Sequence, residues 1–81
     1  METAYVLVKS QVAHEMDVMS ELLKIDNVKE ARGTFGVFDI FVKVEAKTSK
    51  ELEDTITKKI RKVKHVISTT TLSVIPEQDK N

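Results

Sequence analysis

Cysteine and tryptophan are absent from this 81-residue chain, proline occurs once and glycine twice. Without cysteine there is no disulfide, no thiolate metal site and no cysteine nucleophile. A small domain that folds without disulfides reads as intracellular. Net charge is missing too: 13 basic side chains balance 13 acidic ones, whereas a dedicated nucleic-acid binder shows a basic excess or stripe. The same balance leaves little repulsion between copies of the chain. No apolar run approaches the ~20 residues of a membrane helix, and no secretory leader follows Met1. These absences predict a cytoplasmic protein with no membrane attachment and no direct DNA binding.

What is present fits one domain over residues 1–76, with a polar tail at 77–81. A chain this short buries only roughly 60–65% of its unfolded surface, so pairing with a second copy would add apolar burial that a lone core lacks. Ala4-Tyr5-Val6-Leu7-Val8 suits a buried strand. From about His14 to Ile25 the period turns helical, with Met16, Met19, Leu22 and Leu23 as the apolar stripe. Asp26-Asn27 is a turn signal, and Val28 to Thr34 reads as a weaker strand. The strongest strand is Phe38 to Val44. Its Ile40, Val42 and Val44 alternate with Asp39, Phe41 and Lys43, and Phe41 on the opposite face predicts partial cover on both sides. Thr48-Ser49-Lys50-Glu51 matches a capping box. Behind it Leu52, Ile56, Ile60 and Val63 mark a helix expected to end near Lys64. Val66 to Ile75 is the last strand, stopped by Pro76. The order is βαββαβ, which predicts an α+β ferredoxin-like fold: a four-stranded antiparallel sheet with two helices on one face.

Few residues carry chemistry. The run from Lys58 to His65 is basic, but Lys58, Arg61 and Lys62 fall opposite the apolar stripe, as on a solvated helix face. His14 and His65 are far apart in sequence and lack metal-site spacing, so they read as surface or loop-end histidines. Met16 and Met19 read as core. Gly33-x-x-Gly36 lacks the lysine and helix of a phosphate loop. No catalytic set, metal site or cofactor is expected. The unusual local feature is Gly36-Val37-Phe38-Asp39, which holds an acid among apolar residues just after a glycine turn. Asp39 either caps its own loop or joins the loop's backbone N–H groups in binding a small zwitterion. In Ser68-Thr69-Thr70-Thr71, alternation puts Thr69 and Thr71 on one face of the last strand.

Three segments, in order and at the right separations, give the chain a family likeness. Ala4 to Val8, then Val28-Lys29-Glu30-Ala31 with Gly36-Val37-Phe38-Asp39-Ile40, then Val66 to Ile75 follow strands of one pattern. The chain resembles the ligand-binding and oligomerisation (RAM) domain of the Lrp/AsnC transcription regulators, in its stand-alone form without a helix-turn-helix. Phe35 stands where that family usually has Thr, His65 where it usually has Gly, and Ala13-His14 where a Gly often precedes the first helix. The resemblance implies a homodimer of the dimeric α+β barrel type and higher oligomers such as tetramers or octamers. It further implies a small effector, usually an amino acid, bound between dimers. Carried over, Gly36, Val37, Phe38 and Asp39 match the effector loop, and Thr69 and Thr71 the closing strand. The implied role is regulatory: modulating Lrp/AsnC-type regulators through assembly. Competing readings are a ligand-free assembly module, an ACT-like amino-acid sensor, and a small dimeric α+β barrel enzyme.

Overall fold

In the computed structural model, which describes residues 1–73, the chain runs β1 (Glu2–Ser10), α1 (Glu15–Leu23), β2 (Val28–Gly33), β3 (Ile40–Ala46) and α2 (Ser49–Asp54). A π-helical segment (Thr55–Ile60) continues α2 and leads to β4 (Val66–Ser73). The tail at 77–81 and the expected end of the last strand at Ile75 and Pro76 lie outside the described residues. The strands form one antiparallel sheet in the order β2-β3-β1-β4, so the architecture is the ferredoxin-like α+β fold.

Side-chain alternation sets which face is buried. Ala4, Val6 and Val8 of β1 lie opposite Val44, Val42 and Ile40 of β3, and all six are buried. Val18 and Leu22 of α1 and Ile56 and Ile60 of the second helix close over them. Each such side chain contributes about 1.5–3 kcal/mol when fully buried. The opposite face has no helix. There Tyr5 stacks on Phe41 at 5.2 Å between ring centroids; Leu7 is half-buried and Leu72 is 48% exposed. Lys43 and Glu45 pair at 3.7 Å on this face. Across from Lys43 stands Glu30 of β2; the hydrogen-bonded Arg32 guanidinium holds its carboxyl below the usual range.

Three expectations are corrected. Met16 is 78% exposed, because the face of α1 turned to the sheet is the one-turn pair Val18 and Leu22. Met19 is only partly buried and Leu23 is exposed. The second helix ends at Ile60, before Lys64, and its last six residues are π-helical. The hydroxyls of Thr55 and Thr57 donate to the carbonyls of Glu51 and Glu53, four residues back. Such bonds compete with the backbone ladder, and Arg61 N–H pairs five residues back, with Ile56. Finally, β3 starts at Ile40 rather than Phe38. The Asp39 carboxylate takes the Ser10 amide at 2.8 Å, and the Thr34 hydroxyl donates to the Phe38 carbonyl at 2.8 Å. With both groups taken by side chains, the ladder stops there.

Candidate effector site

The loop between β2 and β3 is held at both ends. Thr34 N–H donates to the Asp39 carbonyl at 2.9 Å, Asp39 N–H to the Val8 carbonyl at 2.9 Å, and Lys9 Nζ to the Val37 carbonyl at 3.3 Å. Between these anchors Gly36 sits at φ +111, a conformation that a side chain would strain. An added Cβ there would meet nothing within 4 Å, so the demand for glycine is conformational. Among the described residues, the amides of Phe35, Gly36, Val37 and Phe38 donate to no protein group. Phe35 and Val37 are exposed, while Phe38 and Asp39 are half-buried.

Asp39 stands where the loop joins the end of β1. Its Oδ2 accepts from Ser10 N–H at 2.8 Å, so the amide it caps belongs to the neighbouring strand β1 and not to its own loop. Ser10 was not legible as a partner, since nothing in its surroundings in sequence marks a strand end that needs an acceptor.

Thr69 and Thr71 share a face, as alternation predicts, and it is the helix side. They lie opposite Val8 and Val6 of β1. Thr69 accepts from Arg61 Nε at 3.1 Å. It lines a groove with Val66, Ile67 and Ser68, while Thr71 lines another with Leu52 and Ile56. The loop residues line neither groove. Strand β1 separates the two sets, about 10 Å across two strand spacings. Within one chain the loop and the threonines therefore do not form a single pocket.

The histidines, which sequence separation set apart, are in contact: their rings stack with centroids 3.6 Å apart. The fold brings the end of β1 beside the start of β4, and no local pattern announces that. Among the described residues no cluster of three or more His, Cys, Asp or Glu is arranged to hold a metal. No helix there is long and apolar enough to cross a membrane.

The profile of the Lrp/AsnC ligand binding domain matches residues 3–80, and the chain belongs to that family. Its structure is similar to that of FFRP-DM1, with 41% identity, a TM-score of 0.88, and coverage of 93% of this chain and all of that one. A hypothetical protein, PHS023 from Pyrococcus horikoshii, is likewise 41% identical, with a TM-score of 0.86 and coverage of 96% and 94%. AsnC from E. coli is 25% identical with a TM-score of 0.85; the match covers 98% of this chain but 54% of AsnC. No curated protein matches the chain.

Proposed function

We propose that this chain is an effector-binding and self-assembly domain whose effector is an amino acid, held at the loop of Gly36, Val37, Phe38 and Asp39. The observation that carries the reading is the pairing of free donors with a half-spent acid. Four successive amides, at residues 35–38, face no protein acceptor among the described residues, and next to them Asp39 has committed one oxygen to Ser10. The amides suit a carboxylate and the second Asp39 oxygen an ammonium group, the two charged ends of a zwitterion. The loop is open to solvent, so a neighbouring copy closes the site; Thr69 and Thr71 of that copy supply hydroxyls. Pockets of this kind form readily at subunit boundaries.

The helix-free sheet face supplies the means of assembly. Tyr5, Leu7, Phe41 and Leu72 form its apolar centre, ringed by Lys9, Glu30, Arg32 and Lys43. Two copies packed through this face make the dimer, and dimers meeting at their loops make a tetramer or octamer. Assembly without a ligand is the second reading, and this same face favours it. A melting-temperature screen against the natural amino acids separates the two. A ligand that binds only the folded state raises the melting point as its concentration passes its Kd. The proposal expects at least one amino acid to do this. No shift with any of them at millimolar concentration leaves only the assembly module.

A further inference from the structure

Two connections meet at the end of the sheet that carries the effector loop. One joins β1 to α1; the other joins the second helix to β4. Each contains a non-glycine residue with left-handed backbone, Ala13 at φ 74 and His65 at φ 75. Such geometry is sterically unfavourable for residues with a Cβ and persists where the surroundings hold it. Here Gln11 N–H donates to the His65 carbonyl at 2.8 Å, and His14 N–H to the Gln11 carbonyl at 3.0 Å. Over these bonds the imidazoles of His14 and His65 lie face to face, 3.6 Å apart and 13° from parallel.

Each ring is also oriented through Nδ1. His14 Nδ1 donates to Asp17 Oδ2 at 3.2 Å and His65 Nδ1 to Gln11 Oε1 at 2.7 Å. A carboxylate and an amide oxygen accept only, so the hydrogen of each neutral ring sits on Nδ1 and an added proton goes to Nε2. In-plane lone pairs on near-parallel rings do not converge on one ion, so the stack is not a metal clamp.

We propose that the His14–His65 stack is a proton-operated latch: neutral, it holds the two connections together and fixes the end of β1; doubly charged, it parts. Two imidazolium charges at 3.6 Å repel, and the one carboxylate bonded to the stack, that of Asp17, balances only one of them. From α1, Asp17 faces the stack, while Glu21 is already paired with Lys24 at 2.7 Å. Lys59 of the π-helical segment and Lys62 and Lys64 of the following turn line the same groove as His65. At the end of β1, the Asp39 carboxylate is bonded to the Ser10 amide. Burial, and then the positive charge of His14 and of Lys64, hold the His65 pKa below its ordinary value, against the pull of Asp17. The open form therefore binds protons more readily than the latched one. Latch stability is complete above about pH 6.5, the ordinary histidine value, and is lost as pH falls through the lower folded value. The effect reaches the effector corner through adjacent residues: Gln11 N–H bonds His65, and Ser10 N–H bonds Asp39.

As regulation of the effector corner, the latch rests on the function proposed above; as a latch, it is measured without effector. The test is a ¹H–¹⁵N NMR titration of the whole chain from pH 8 to pH 5, following the imidazole protons and the Ser10 and Gln11 amides. Both amides should move with the midpoint of His65, below the ordinary histidine value. In His65→Asn, which tolerates left-handed backbone and does not titrate, they should stay still from pH 7.5 to 5.5. If that variant fails to fold, His14→Gln serves: removing one ring should raise the His65 midpoint towards its ordinary value. Still amides in the wild type while the histidines titrate, an unchanged midpoint in His14→Gln, or equal amide movement in His65→Asn overturns the latch. Coupled amides in a protein that binds no amino acid would keep the latch and remove the effector reading. Amino-acid binding with uncoupled amides would do the reverse.

Discussion

Asp39 has two carboxylate oxygens, and the fold uses one. The Ser10–Asp39 bond closes the end of β1, and it is the reason Asp39→Ala and Asp39→Asn should behave differently. Alanine strands the amide of Ser10, a buried residue, which costs about 1–3 kcal/mol. Asparagine keeps an acceptor for Ser10 and loses only the charge assistance, about 1 kcal/mol. Urea denaturation of the two variants should rank them in that order. Ala13 gives a second prediction. At φ 74 its Cβ costs about 1–2 kcal/mol, and glycine returns about 0.4–1 kcal/mol of that through the freer unfolded chain. Ala13→Gly should therefore stabilise the protein by up to about 1.5 kcal/mol, read as a higher urea midpoint with unchanged slope.

The elements were legible where one interaction dominates. Alternation in Ile40, Val42 and Val44 located β3 and its buried face, and Thr48 is the N-cap that its capping box indicates, accepting from Glu51 N–H at 3.1 Å. In the reciprocal bond the amide of Lys47, one residue before the cap, donates to the Glu51 carboxylate at 3.3 Å. The boundaries were not legible where side chains replace backbone partners, as at Asp39 and Thr34 before β3 and at Thr55 and Thr57 in the second helix. Nor could α1 be oriented from apolar residues alone, since Met16 and Val18 are equally apolar and the docking of Leu22 decides between them. Thr55 exemplifies what spacing cannot reveal. Only 3% exposed, it donates to Glu51 and accepts from Asn27 Nδ2 at 2.8 Å, tying the second helix to the turn before β2. Thr55→Ala should cost about 1–3 kcal/mol, because it leaves the Asn27 amide short of a partner; thermal melting checks this against Thr57→Ala, whose exposed hydroxyl should matter less.

At the scale of the whole molecule, the proposed function divides the work between the helix-free sheet face and the loop: the face of Tyr5 and Phe41 would set assembly and the loop what is sensed. Phe41→Glu places a charge among the apolar residues of the open face without touching the buried one. It should convert the dimer to a folded monomer, seen as a halved mass in sedimentation equilibrium with an unchanged circular-dichroism spectrum. The likeness to the Lrp/AsnC family was readable because its marks lie on strands and on the loop that opens β3. Contact between the two histidines was not, because it depends on strand order rather than on spacing. Calorimetric titration at pH 7.5 asks whether the loop with Asp39 holds an amino acid. The amino acid that most raises the melting point is titrated into wild type and into Asp39→Asn. Saturable binding to the wild type should weaken about 10- to 150-fold in the variant by loss of a charge-assisted bond; equal affinity in the two proteins would mean that Asp39 does not hold the amino acid.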